Sequence, residues 1–391
     1  MKEGWEYKKL SLVCSKITDG SHFSPKVDNN GIYPMLSVKD MMAIGFNYTT
    51  CKYINENDYN VLVANGCKPK VNDVLVAKDG SYLKTAFVLK EDKEQALLSS
   101  IAIITPRLDE IVPEYLAFYF KAPHTKSVVE KHYLTGTAIK RVILKGFKNI
   151  TIPVPPLSEQ QHIVEELDLL SNIIEKKKAQ LMELDNLAQS FFYEMFGDPI
   201  TNEKGWEVKK LGELCTTSSG GTPSKSHTEY YEGGNIPWLR SGEVAQGFIF
   251  DTELFITEEG LKNSSAKYFP IDAVVVAMYG ATVGQVGILK KEMTTNQAVC
   301  GIFPNKFYVP IFLMYFLKGM KPVYLKDAAG GAQPNISQGV IKNTLVPKVP
   351  LTIQQDFVDR IEAIEHQKEL IKKSIKEVET LFNSRMDYYF N

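Results

Sequence analysis

The chain is poor in the features that mark several protein classes. It has only five cysteines in 391 residues, Cys14, Cys51, Cys67, Cys215 and Cys300, odd in number, widely spaced and without a C-x-x-C pair. That pattern excludes a disulfide framework and offers no zinc-site spacing, so buried or half-buried thiols are expected. No apolar run approaches the roughly 18 to 20 residues of a bilayer span, and residues 1–10 are charged rather than signal-like, so the chain is expected to be cytoplasmic. Basic charge is not in excess either: 45 Lys+Arg face 46 Asp+Glu, and the composition alone gives no nucleic-acid footprint. Catalytic signatures are missing as well. There is no G-x-x-x-x-G-K-[ST] loop, no G-x-G-x-x-G after a strand, no H-E-x-x-H and no G-x-S-x-G. Val154-Pro155-Pro156-Leu157 lacks the polar and aromatic residues of an amino-methyltransferase tetrapeptide. Six scattered histidines and the solvated turn Glu91-Asp92-Lys93 complete the survey, which yields no catalytic residue and no metal ligand.

What is present is written twice. Gly4-Trp5-Glu6-Tyr7-Lys8-Lys9-Leu10 returns as Gly205-Trp206-Glu207-Val208-Lys209-Lys210-Leu211, 201 residues on, and Val74-Leu75-Val76-Ala77 returns as Val274-Val275-Val276-Ala277. Pro153-Val154-Pro155-Pro156-Leu157-Ser158-Glu159-Gln160-Gln161 returns as Pro347-Lys348-Val349-Pro350-Leu351-Thr352-Ile353-Gln354-Gln355, 194 residues on. Each copy opens with about 150 residues of short β-branched and aromatic runs broken by Gly, Pro, Asn and Asp, the pattern of strands and turns with occasional helices. Helices are expected over 113–121 and 309–318.

After each proline cluster comes a tract with no Gly or Pro, 158–196 and 352–390. Apolar residues recur at steps of three and four, from Ile163, Leu167 and Leu170 to Met195 and from Phe357, Ile361 and Ile364 to Tyr389. Lys177, Lys368 and Arg385 interrupt the stripes. A 3.5-residue spacing held this long predicts two coiled-coil helices of about 58 Å, and the domain order predicts antiparallel pairing. Ser158 and Thr352 with Gln161 and Gln355 three residues on form capping-box patterns. Phe192, Tyr193, Tyr388 and Tyr389 near the helix ends read as exposed aromatics for subunit docking. The resulting division is 1–157, a globule; 158–196, a helix; 197–351, a second globule; and 352–391, a second helix.

Counted by segment, the charge is +5, −5, +1 and −2 in that order. The globules carry the positive charge. Each also holds three Gly-bearing clusters of small polar residues, whose backbone amides can approach phosphates while side chains reach base edges. Ordinary turns share this composition. The candidate DNA-binding residues are Ser21, His22, Lys78, Gly80, Ser81, Tyr82, Thr137, Lys140 and Arg141 in the first copy. In the second they are Thr222, Tyr279, Gly280, Thr282, Gln333 and Asn335. The copies agree at framework positions and diverge at these loops, Lys140-Arg141 standing against Pro334-Asn335, which suggests two different targets.

The repeated Gly-Trp entry, the twice-written P-L-x-x-Q-Q entry into a long helix, the Phe196-Gly197-Asp198-Pro199 junction and the order globule, helix, globule, helix resemble the specificity (S) subunit of type I restriction-modification systems. The resemblance implies an α+β fold with two α/β target recognition domains in tandem, separated by two long helices forming an antiparallel coiled coil. It implies that each domain reads one half of a bipartite asymmetric DNA site and that the helices set the spacer and dock two modification subunits. S-adenosylmethionine would then belong to the modification subunit, and ATP and magnesium to the restriction subunits of the full complex. The chain itself would hold no cofactor and catalyse nothing. A non-DNA assembly scaffold with two docking globules on a rod is the alternative the sequence leaves open.

Overall fold

The computed structural model describes residues 4–136, 140–328 and 334–391. The chain divides into two units, Met1–Lys178 with Lys373–Asn391, and Ala179–Lys372. Each unit contains one globular copy and a segment of each long helix, Leu157–Phe196 and Leu351–Phe390. Among the described residues no helix is long and apolar enough to cross a membrane.

In the first unit a four-stranded antiparallel sheet runs in the order Cys14–Asp19, Ile101–Pro106, Val74–Ala77, Ala86–Val88. A three-stranded sheet joins Lys52–Ile54, Tyr33–Leu36 and Ala96–Leu97, the last pair parallel. The central run Val74-Leu75-Val76-Ala77 is buried throughout. Side chains alternate across a strand, so Val74 and Val76 enter a core with Tyr115, Phe118 and Phe120 of helix Pro113–Lys121, while Leu75 enters a second core with Phe46 and Phe87. Both faces are covered, which is why this strand has no polar alternation.

The second unit repeats the plan with Val274–Ala277 at the centre of a five-stranded sheet, Val274 and Val276 facing one core and Val275 and Ala277 another. Its companion sheet orders Phe255–Ile256, Ile236–Leu239, Met293–Thr295 and Tyr268–Phe269. The helix expected over 309–318 runs Pro310–Gly319. Val309 stays extended, at φ −72° and ψ 132°, because a residue before proline avoids the α region.

The duplicated sequence motifs are the two sides of one clasp. Glu6–Lys9 pairs antiparallel with Thr151–Val154 in the first unit, and Val208–Lys210 with Leu345–Pro347 in the second. The Gly-Trp entry and the proline-rich exit therefore close each globule on itself. The capping boxes do not form. Each long helix starts at the leucine after the proline pair or valine-proline, Leu157 and Leu351, which puts Ser158 and Thr352 inside the first turn. Gln161 and Gln355 reach forward instead, to Glu165 and Asp359.

The neighbouring glutamines do the joining. Gln160 is fully buried; its Oε1 accepts from Val112 N at 2.8 Å, and its Nε2 donates to the carbonyls of Glu110 and Pro155 at 3.0 and 2.8 Å. Gln354 repeats the set with Val309 N at 2.8 Å and the carbonyls of Phe307 and Val349 at 2.9 and 2.8 Å. One amide thus satisfies an N–H at the start of the short helix, which helix geometry leaves without a backbone partner, and two loop carbonyls.

The helix segments run antiparallel within each unit. In the first, Glu166 meets Arg385 and Lys178 meets Glu379; in the second, Asp185 meets Lys368 and Phe192 meets Phe357. Lys368, an interruption of the apolar stripe, is buried with its Nζ 2.6 Å from Asp185 and 2.8 Å from Glu365. Glu166 accepts from Arg385 Nη2 at 2.8 Å and from the Tyr389 hydroxyl. The Arg385 guanidinium, followed by Tyr389, holds the Glu166 carboxyl below its usual value of 4.5. A depressed folded-state value means stabilisation that is complete above about pH 4.5 and is lost as pH falls through the lower folded value. Urea unfolding between about pH 3 and 7 should therefore show an acid-side loss in the wild type that is smaller in Glu166→Gln; equal acid sensitivity would mean the pair is too solvated to matter.

Candidate nucleic-acid interface

Three Gly-bearing loops in each unit, far apart in sequence, are held together by main-chain hydrogen bonds. In the first unit Gly80 N donates to Lys140 O at 2.9 Å and Val142 N to Lys78 O at 3.0 Å, joining the second loop to the third. Ser21 N donates to Leu97 O at 2.8 Å and Lys78 N to Ser100 O at 3.0 Å, so the segment 97–100 ties the first loop to the second. The second unit has the same bonds: Gly280 N to Pro334 O at 2.8 Å, Ile336 N to Met278 O at 2.9 Å, Gly221 N to Thr295 O at 2.9 Å and Met278 N to Ala298 O at 2.8 Å.

Two glycine pairs permit this. Gly80 and Gly280 have φ of +66° and +69° with open space at the Cβ position, so backbone conformation alone selects glycine. At Gly20 and Gly220 a Cβ would stand 2.1 Å from Leu97 O and 2.0 Å from Thr295 O, so close approach selects it. Segments 97–100 and 295–298 were not singled out by sequence. The signal available was the divergence of Leu98-Ser99 from Asn296-Gln297 between flanks that align 198 residues apart.

Side chains on this scaffold divide into outward and inward groups. Lys140 and Arg141 are exposed, as are Ser81, Gly80, Tyr279 and Asn335. His22 is exposed, its Nε2 3.2 Å from Asp19 Oδ2. Ser21 donates to Phe23 O at 2.6 Å, Tyr82 to Glu130 at 2.9 Å and Thr282 to Tyr279 O at 2.9 Å, and each is half-buried. The hydrogen bond to Glu130 raises the Tyr82 phenol above its usual 10, so it remains a neutral donor or acceptor. Thr222 donates to Gln297 Oε1. Gly280 is half-buried. Thr137 and Gln333 lie outside the described residues.

Lys78 faces inward. It is 4% exposed, with Nζ 3.1 Å from Asp79 and 3.3 Å from Asp19. Two carboxylates neutralise it, and it braces the loops instead of offering charge to a ligand. The second unit has apolar, buried Met278 at the matching place, the kind of hydrophobic replacement that buried ion pairs tolerate. Two docking candidates are also corrected. Phe192 is 1% exposed, packed by Phe196, Phe312 and Phe357, and Tyr389 is 6% exposed and bonded to Glu166. Tyr193 and Tyr388 are exposed. The apolar stripe drifts at the helix ends, since 3.6 residues per turn does not match a strict heptad. The sequence pair Glu91 and Lys93 forms an exposed ion pair of 2.9 Å.

The edge of paired loops is thus built twice, with different outward side chains. The family model for the type I restriction modification DNA specificity domain matches this chain twice, at residues 2–184 and 203–380. The chain belongs to the type I restriction-modification specificity-subunit family. It is similar to the MjaIX specificity subunit of Methanocaldococcus jannaschii, 32% identical over 378 residues, covering 90% of this chain and 85% of that one. It is also similar to the EcoR124I/EcoR124II specificity subunit of Escherichia coli, 25% identical over 264 residues and 64% of each chain. In fold it resembles the crystal structure of the S subunit from M. genitalium, with a TM-score of 0.55, 14% identity and coverage of 100% and 98%. A chain from a structure describing assembly of the type I R-M system gives 0.56, 20%, 100% and 98%. The specificity-subunit architecture is therefore two α/β recognition domains in tandem with antiparallel long helices.

Proposed function

We propose that each globule reads one half of a bipartite, asymmetric site in double-stranded DNA, and that the long helices set the spacer and dock two modification subunits. The observation that carries this reading is the repeated loop edge: the same main-chain bonds in both copies, with Lys140 and Arg141 exposed on one and Asn335 on the other. Equivalent scaffolds with unlike side chains suit two unlike half-sites. The chain acts without catalysis or a cofactor of its own. S-adenosylmethionine serves the modification subunit, ATP and magnesium serve restriction subunits where these join, and the complex works in the cytoplasm. The low net charge fits a subunit that discriminates sequence while its partners add much of the grip on phosphate.

Methylation sequencing of cells expressing the chain with its modification subunit tests the reading. Two specific half-sites separated by an unread gap are expected, and a continuous or palindromic motif would overturn it. Replacing both Lys140 and Arg141 by alanine should weaken binding through the first half-site by about 10- to 100-fold, leaving second-half preference intact. A change confined to the second half would contradict the assignment of that loop.

A further inference from the structure

Beside the first loop of the second unit lies a cavity of about 590 Å3, walled in part by Thr222, Lys225, Glu232, Asn296 and Gln297. The hydrogen bonds of Asn296 and Gln297 engage their carbonyl oxygens and leave their NH2 groups. Gln297 Oε1 accepts from the Thr222 hydroxyl, and Asn296 Oδ1 accepts from Ala298 N at 3.2 Å. Among the described residues neither Asn296 Nδ2 nor Gln297 Nε2 has a hydrogen-bond partner, and Lys225 forms no ion pair. Gln297 and Lys225 are exposed, and Asn296 is half-buried. Two amide NH2 groups on segment 295–298, the segment that binds the first loop to the second, therefore line the same cavity as the Lys225 ammonium.

Resting on the DNA-reading function above, we propose that this donor set makes Asn296 and Gln297 the specificity-determining residues of the second unit, and that they read a guanine of a G·C pair. In the major groove guanine presents only acceptors, O6 and N7, while adenine opposes a donor at N6. The free NH2 groups of Asn296 and Gln297 match the first and leave a donor facing the N6 donor of the second, a mismatch that costs far more than a lost contact. Glu232 supplies an acceptor of the kind cytosine N4 takes. The first unit has Leu98 and Ser99 at the matching positions, Leu98 packed against the small core of Met35 and Ile54, so the pocket's chemistry is particular to the second half-site.

The test uses the complex with its modification subunit. Asn296→Asp and Gln297→Glu keep the oxygens that accept from Ala298 N and Thr222, and turn each free donor into an acceptor. Gln297→Ala removes one donor at an exposed position without adding charge. For the wild type, a guanine is expected at one or more positions of the second half-site. Gln297→Ala should reduce that guanine preference about 5- to 100-fold, and the two acidic variants should shift it toward cytosine, with the first half-site unchanged. Equal weakening on all sequences would assign these amides to phosphate and overturn the proposal, as would an unchanged preference or the absence of guanine from the second half-site. Failure of the wild-type complex to show two separate half-sites would instead overturn the DNA-reading function itself.

Discussion

Phe192→Ala is expected to destabilise the second unit by about 3 to 5 kcal/mol, the usual cost of emptying a buried phenylalanine site. The ring sits 4.9 Å from Phe196, 5.5 Å from Phe357 and 5.7 Å from Phe312, centroid to centroid, so both long helices and helix Pro310–Gly319 would face the void. Against a typical domain stability of about 5 to 15 kcal/mol, the loss should appear as a clear drop in the urea midpoint. Its neighbour Tyr193 is 41% exposed, and Tyr193→Ala should change stability by less than about 0.5 kcal/mol. If Tyr193 contributes to docking, that variant alone should weaken capture by the modification subunit while unfolding normally. A neutral Phe192→Ala with selective loss of assembly would put the ring back on the surface.

The second large effect concerns Gln160. Substitution by leucine leaves Val112 N–H and the carbonyls of Glu110 and Pro155 without the partners they have at 2.8 to 3.0 Å. An orphaned buried polar group costs about 1 to 3 kcal/mol, and water can reach some of these groups after local opening, so a loss of about 3 kcal/mol is expected. Gln354→Leu should give a matching loss in the second unit because its bond set is the same. Gln161→Leu and Gln355→Leu, on exposed positions, should be nearly neutral. Chemical denaturation of the four variants separates the outcomes: equal effects within each Gln-Gln pair would show that the buried amides are dispensable.

Those two cases also show where reading a linear pattern stops. The stripe placed Phe191 on the seam and left Phe192 outside, but the helix rotates relative to a strict heptad, and it is Phe192 that is buried. The P-L-x-x-Q-Q motif was visible twice, yet spacing alone did not say which glutamine mattered. Capping logic selected Gln161 and Gln355; helix starts one residue earlier, after Pro156 and Pro350, bring Gln160 and Gln354 against the short helices instead. Lys78 looked like a reader because its loop is Gly-rich and basic, but Asp19, 59 residues earlier in sequence, joins Asp79 in neutralising it.

The repeat, the two Gly- and Pro-free helical tracts, the helix after Val112 and the Gly-bearing loop pairs were all legible in the sequence, because each depends on local period or composition. Hydrophobic spacing and chain punctuation act over a few residues and survive without knowledge of the partner surface. Only the tertiary structure decided that Gly-Trp strands pair with proline-rich strands, that segments 97–100 and 295–298 lock the loops together, and which polar groups keep a free donor. Those facts are set by hydrogen bonds between residues tens to more than a hundred positions apart, and a one-dimensional pattern carries no record of which distant carbonyl has already been used.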